Sequence, residues 1–484
     1  MNTSIPEKGR PYDEVLAQLD KFGEDDPLYR EGNTWSLVYY LDKEYTEFLE
    51  AAYAKYFSAN GLNPTVFKSL KRLEKEVLKF TAELLHTDEN ACGVMTSGGT
   101  ESCLLAVKTY RDLGKARGIK KPEMILPETA HVAWDKGAEY FGVKIRRAPL
   151  APDYGVDTDA VERLVTKNTV MILGSAPEYP HGMIDPIEKL GETAKAHGIP
   201  LHVDACVGGY ILPFIEANGD HLPPWDFRVS AVTSISADIH KYGFAAKGAS
   251  CILYRNADYF KHQIFVNQDW PGGVFASPAL LGTRPGGAYA AAWAAIQANG
   301  REGYAELARR TMDTVRRLKD GIGGIDGLEI IGKPQASLFS YRSTDPHLNI
   351  FAVGDVMERK GWCVDRLQRP DALHAMVTAS HDKVVGRYLD DLKGAVATVR
   401  AHPELGETGQ AATYGMISHI PLRGMVRKQV ADMFADSYKL NAREIDLSDS
   451  AALTPGAGTQ DSQPDKKGIM QKLINLYVKR QMRK

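Results

Sequence analysis

Lys241 lies in the run Ser236-Ala237-Asp238-Ile239-His240-Lys241, a short way after His202-Val203-Asp204-Ala205-Cys206. A lysine amine just past a strand can condense with an aldehyde. A carboxylate ending a neighbouring strand can keep a ring nitrogen protonated, because an adjacent opposite charge favours the charged form. Upstream, Thr96-Ser97-Gly98-Gly99-Thr100-Glu101-Ser102 reads as a strand–loop–helix junction. Glycines there let backbone N–H groups approach a phosphate, and a helix N-terminus favours its negative charge. Amine, acid and phosphate cradle are together what pyridoxal phosphate requires of a protein. Taken singly the signals are ordinary: a solvated lysine, an aspartate capping a helix, a Gly-Gly-Thr turn. Their combination in this order carries the cofactor reading. His131, in Thr129-Ala130-His131-Val132-Ala133-Trp134, could stack on the cofactor ring and move protons, although a lone histidine is more often structural.

These groups need a scaffold, and the pattern of the chain supplies one. Short apolar strands at 124–126, 170–174, 201–204, 234–237 and 250–254 alternate with helical segments such as 101–117 and 186–197. That alternation predicts an α/β fold with a mostly parallel sheet covered on both faces. The motifs fall at C-terminal strand ends, where open α/β sheets collect ligands. Helices are expected at 12–21, 45–56, 69–85, 288–297 and 304–322. A smaller α+β module starts near 328, with strands at 328–331, 338–341 and 373–378 and helices at 352–360 and 382–400. The expected division is an N-terminal segment (1–60), a large cofactor-binding domain (61–327), a small C-terminal domain (328–440) and a linker with a basic tail (441–484).

Composition narrows the class. The chain has 484 residues, 44% hydrophobic and 25% charged, with a formal net charge of −2. Nothing there calls for nucleic acid. No apolar run is long enough to span a bilayer, and the first residues lack an apolar signal core. The five cysteines lack metal-ligand spacing and suit reduced thiols in a soluble, cytoplasmic protein; no metal site is expected. Residues 465–484 carry seven Lys or Arg against one Asp. Met470, Leu473, Ile474 and Tyr477 would line one face of a helix there. The tail is read first as a solvated basic end and second as a weak membrane-surface contact.

The motifs together resemble the fold-type I pyridoxal-phosphate-dependent group II decarboxylase superfamily, and within it the sphingosine-1-phosphate lyases. The stretches that carry the resemblance are Gly174-Ser175-Ala176-Pro177-Glu178-Tyr179-Pro180-His181-Gly182, Val203 to Gly209, Ser236 to Tyr242 with Lys247-Gly248, and Asp269-Trp270-Pro271-Gly272-Gly273. The resemblance implies cleavage of phosphorylated long-chain bases, between the amine-bearing and hydroxyl-bearing carbons, to a fatty aldehyde and phosphoethanolamine. It implies that Lys241 holds the cofactor, Asp204 its ring nitrogen and His131 its face. Gly99, Thr100 and His240 would surround its phosphate. Ser277, Gly282 and Thr283 would complete that site from the second subunit of a homodimer. Tyr39, Asn60, Asn63, Tyr179 and Lys247 match substrate-binding positions. One departure is clear: the family pattern Asn-x-Leu-His-Pro stands here as Asn60-Gly61-Leu62-Asn63-Pro64, and an amide cannot carry the histidine's proton. The membrane anchor of eukaryotic members is not seen either. The alternative is an amino-acid decarboxylase on the same scaffold, since fold does not fix substrate. A cofactor-free binding protein on the same fold is disfavoured by the intact Lys241 and Asp204.

Overall fold

The computed structural model describes residues 5–24, 26–63, 65–419 and 423–440. The expected linker and basic tail, with Met470, Leu473, Ile474 and Tyr477, lie outside the described residues. Seven strands form the main sheet: β1 (Cys92–Thr96), β2 (Glu123–Pro127), β3 (Lys144–Ala148), β4 (Thr169–Ser175), β5 (Leu201–Ala205), β6 (Val232–Ala237) and β7 (Ser250–Tyr254). Their order is β1-β7-β6-β5-β4-β2-β3. From β6 to β3 the neighbours run parallel, whereas β7 is antiparallel to both β6 and β1.

The sequence explains this layering. Every residue of β4, β5, β6 and β7 is buried, including the polar His202, Asp204, Thr233, Ser234 and Ser236, as strands covered on both faces require. β3, Lys-Ile-Arg-Arg-Ala, carried too little apolar signal to be anticipated. It lies at the sheet edge, where charged side chains are tolerated and discourage further pairing.

β8 (Phe265–Asn267) and β9 (Phe275–Ser277) form a separate two-stranded ribbon. The second sheet is antiparallel, ordered β10 (Leu328–Ile330), β11 (Leu338–Ser343), β13 (Ala372–Met376), β12 (Asp365–Leu367). Its helices are Ile350–Arg359 and Val385–Ala401. A long helix, Gly286–Gly323, connects the two sheets. Gly300 leaves helical geometry at φ 56°, ψ −174°, between the two helical stretches anticipated from the sequence. A single apolar cluster runs from Val203 and Ile235 through Tyr304 and Leu318 to Leu338, Phe339 and Tyr388, so both sheets share a core. A second cluster, with Tyr110, Trp134, Ile252 and Tyr254, covers the opposite face of the main sheet.

Gly208 shows how close the packing is behind the strand ends. A Cβ there would press into the carbonyl of Ala176 and against Leu212. Gly208→Ala is therefore expected to destabilise by about 1–3 kcal/mol through overpacking. Thermal denaturation would read this as a lower midpoint; an unchanged midpoint would show that the loops move apart freely.

Candidate active site

The C-terminal ends of three parallel strands place the site. Register aligns Ser175 on β4 with Asp204 on β5, and Asp204 with Ser236 on β6. Asp204 is only 7% exposed. Its carboxylate accepts hydrogen bonds from Trp134 Nε1 at 2.9 Å and from the Cys206 amide at 3.1 Å. Burial pushes against its charge, but Trp134, Cys206 and the nearby His131 ring more than compensate, and the carboxyl is held below its usual range. It is thus an anionic group kept ready under an apolar floor, as a partner for a protonated ring nitrogen must be.

Lys241 reaches the same space from the turn after β6. Its Nζ lies 3.0 Å from Asp238 Oδ2. Burial would depress the ammonium, yet the charge of Asp238, with Cys206 and Asp204, outweighs it and raises the lysine above its usual value. Asp238 is 2% exposed and also accepts from Ser250 Oγ at 2.5 Å. Ser250 begins β7, pairs with Thr96 at the end of β1, and lies 3.2 Å from Ser102 Oγ. A chain of polar contacts therefore joins the glycine loop to Lys241. This chain requires β7 to run antiparallel, because only then does its first residue meet both the end of β1 and the turn after β6.

The glycine loop opens the helix Gly99–Ala116. A Cβ on Gly99 would approach both Asp238 and Cys206 to within 2.9 Å, so only glycine leaves that space free. Thr100 occupies the first helical turn. Glu101 turns back and accepts from the Ser97 amide and Ser97 Oγ, both at 2.7 Å, and from the Leu280 amide at 2.9 Å. His240 Nε2 is 3.8 Å from Asp238, while its Nδ1 is buried without a hydrogen-bond partner. Burial lowers the pKa of this imidazole, which favours its neutral form. An anionic aspartate, an amine, a glycine-lined helix start and an imidazole with a spare nitrogen fit pyridoxal phosphate.

Tyr179 and His131 meet edge to face, ring centroids 6.2 Å apart. The loop bearing Tyr179 is braced by two buried carboxylates. Glu178 accepts from the amides of His181 and Met183, and Asp185 from those of Ser175 and Val156. Burial raises Glu178 to about 8 and Asp185 to about 7. Lys247 lies over the Tyr39 ring at 4.8 Å and bonds the His240 carbonyl at 3.4 Å. Removal from water and the nearby Lys241 charge pull it down to about 8.

Other anticipated residues gather elsewhere. Asn60 donates to Thr283 Oγ1 at 3.2 Å and accepts from the Leu62 amide at 2.9 Å. Asn63 uses its carbonyl on the Thr65 amide and hydroxyl, closing a turn before the helix Lys68–Leu84. Ser277 Oγ bonds the Ala279 carbonyl at 3.1 Å. For Gly282, a Cβ would meet only Leu62. Within one chain, then, the bonds of Ser277 and Thr283 go to their own neighbourhood; Glu101 links that segment to the glycine loop.

Several functional neighbours carried no sequence signal of their own. Asp238 and Trp134 stood inside the quoted motifs without a role. Cys103 and Cys206, far apart in sequence, come together with Asp204, with potential ligand atoms within 4.8 Å of one another. Linear spacing could not show this cluster, since a helix and a strand end bring it together. Asp365 and His374, from the small sheet, touch Tyr179.

Trp134→Phe removes the indole donor from a buried carboxylate. A hydrogen bond to a charged group contributes about 1.5–3 kcal/mol, so the variant should unfold more readily and bind the cofactor more weakly. Thermal denaturation and cofactor titration check this; wild-type values in both would show that Asp204 does not depend on Trp134.

Residues 58–344 match the model of the pyridoxal-dependent decarboxylase conserved domain. Sphingosine-1-phosphate lyase 1 of Rattus norvegicus is 41% identical over 437 residues, covering 90% of this chain and 76% of the rat protein. The solved sphingosine-1-phosphate lyase of Burkholderia pseudomallei superposes with a TM-score of 0.81 at 37% identity, over 90% of this chain and 98% of that one. A glutamate decarboxylase of Lactobacillus brevis, 22% identical with a TM-score of 0.73 over 83% of this chain and 95% of that one, shares the fold. With a cofactor-binding geometry at the strand ends and this extent of identity, the chain belongs to the pyridoxal-phosphate-dependent sphingosine-1-phosphate lyase family.

Proposed function

We propose that this chain is a carbon–carbon lyase that cleaves phosphorylated long-chain bases of the sphingosine 1-phosphate type to a fatty aldehyde and phosphoethanolamine. The observation that carries the reading is Lys241 in the turn after β6, within the field of the buried Asp204 on the neighbouring strand β5, in a chain 41% identical to a sphingosine-1-phosphate lyase. The decarboxylase alternative has weaker support, since the decarboxylase named above shares only the fold.

Bound pyridoxal phosphate would supply an electron sink for the bond being broken. The residues divide the remaining tasks. Lys241 would hold the cofactor, and Asp204 would keep its ring nitrogen protonated. His131 would cover its face; Gly99, Thr100 and His240 would bind its phosphate. Lys247, Tyr39, Asn60, Asn63 and Tyr179 would contact the substrate, with Lys247 as the cation for the phosphate monoester, which carries close to two negative charges. The division at 61–327 and 328–440 into large and small domains is part of the same reading.

A homodimer with shared sites fits the surface. Phe265, Val266, Trp270, Val274, Leu280 and Leu281 are large apolar side chains exposed along one stretch that includes Ser277. Such a concentration suits a protein–protein contact. Ser277, Gly282 and Thr283 would then reach the partner's phosphate site. No helix among the described residues is long and apolar enough to cross a membrane. All five cysteines are free, in keeping with a cytoplasmic enzyme.

Incubation of the purified chain with phosphorylated and unphosphorylated long-chain bases tests the function, scored by aldehyde release. Lys241→Ala should lose both aldehyde release and the visible absorbance of the bound cofactor; normal turnover in this variant would place the essential amine elsewhere. For Lys247, the charged form is present below about pH 8 and is lost as the pH rises through that value. Wild-type kcat/KM for phosphorylated bases should therefore fall above that pH, and this limb should vanish in Lys247→Ala. The same alkaline limb in both proteins would remove Lys247 from phosphate binding. Mixing inactive Lys241→Ala with impaired Thr283→Ala should restore part of the activity if sites are shared, because hybrids hold one site with both residues intact. No recovery in the verified hybrid would mean each chain builds its own site.

A further inference from the structure

Tyr179 is held by two residues of the small sheet. Its phenol donates to Asp365 Oδ2 at 3.0 Å, and its ring stacks on His374, centroids 4.4 Å apart and planes at 28°. His374 Nε2 lies 2.9 Å from the Tyr179 carbonyl oxygen. A carbonyl only accepts, so Nε2 carries the imidazole proton and Nδ1 is a bare acceptor. That Nδ1 is buried, makes no hydrogen bond, and stands 4.0 Å from Asp365 Oδ2. An ionised carboxylate has no proton to offer it, so no hydrogen bond joins Asp365 to Nδ1, and among the described residues Asp365 Oδ2 accepts only from the Tyr179 phenol. Asp365 and Nδ1 can bond once Asp365 gains a proton. The Asp365 side chain is 33% exposed, whereas that of His374 is fully buried. Asp365 thus has one side on Tyr179, one on His374 and one open to water.

We propose that Tyr179, Asp365 and His374 form the proton exit for the substrate hydroxyl. This rests on the lyase reading above. Cleavage breaks the bond between the amine-bearing and hydroxyl-bearing carbons. The bonding pair stays with the amine-bearing carbon, and the hydroxyl O–H pair becomes the second bond of the aldehyde carbonyl. The hydroxyl proton passes to Tyr179 Oη while the phenol proton moves to Asp365 Oδ2. The neutral carboxyl then donates to His374 Nδ1 until its proton leaves through the exposed side. The amine-bearing carbon takes up one proton, so none is gained or lost overall.

Three observations support this direction of transfer. Tyr179 faces His131, so its phenol borders the same space as the proposed cofactor residues. Burial, then the charge and hydrogen bond of Asp365, keep the phenol protonated, as a group that must give one proton while taking another has to be. The third is the missing bond at His374 Nδ1: a purely structural histidine would be expected to satisfy both nitrogens. Tyr179 is the catalytic group here. Asp365 and His374 act through it.

The test uses the full-length holoenzyme and a phosphorylated long-chain base. Asp365→Asn keeps the shape but cannot accept the proton, and should lower kcat by about 10²-fold with little change in KM, in the range of general acid–base contributions. Its cofactor absorbance should match wild type. The wild-type proton inventory in mixed light and heavy water should curve, showing two protons in flight, and should become linear in Asp365→Asn. Added small carboxylates should rescue Asp365→Ala, with rates that rise with their basicity. Rescue independent of basicity, or Asp365→Asn at the wild-type kcat, would overturn the relay while leaving the lyase reading intact. Failure of the wild-type holoenzyme to release aldehyde would instead overturn the lyase reading, and the relay with it.

Discussion

The buried carboxylate of Asp238 is the interaction on which the rest of the site depends. An unpaired charge at 2% exposure would be costly, so its neighbours must answer it. Ser250 Oγ, Lys241 Nζ and, at longer range, His240 do so. Ser250 comes from the start of β7, whereas His240 and Lys241 stand side by side in the turn after β6. Satisfying one charge therefore fixes the relative positions of the lysine and the glycine loop. It also keeps the Lys241 amine charged in the chain described here, whereas condensation with an aldehyde requires the neutral amine. Under the role proposed for Lys241, cofactor loading would include loss of that proton.

The main sheet sets the sides of the site through direction as well as order. Parallel β4, β5 and β6 bring Ser175, Asp204 and Ser236 into line at one edge. Antiparallel β7 brings Ser250 back to that edge from the other side. The helices that cover the sheet then contribute side chains to this row. Trp134 approaches Asp204 from the helix Ala133–Phe141, and Cys103 from the helix Gly99–Ala116.

The small sheet does more than cover the site. Its shared core with the main sheet holds β12 and β13 against the loop that carries Tyr179. Two buried acidic side chains of that loop tie it together through backbone N–H groups: Glu178 within the loop, and Asp185 to Ser175 at the end of β4. Tyr179 is therefore constrained by both sheets at once. A substrate hydroxyl placed near it would meet a group whose position neither sheet sets alone.

The sequence by itself marked the central strands of the main sheet and the residues expected to serve the cofactor. Short apolar-rich segments at β4 to β7 point to buried strands, and a Lys, an Asp and a glycine loop in a fixed order point to a chemistry. These signals are local, so they survive in one dimension. The edge strand β3 escaped because its charged residues satisfy the edge requirement at the expense of the apolar pattern. Tertiary structure alone decided which groups meet. Asp238 and Ser250, Trp134 and Asp204, Cys103 and Cys206, and Tyr179 with Asp365 and His374 are pairs separated in sequence and joined by strand register, helix packing or contact between sheets. Charge, hydrogen bonding and pKa shifts act through space over a few ångströms, and only the folded chain sets those distances.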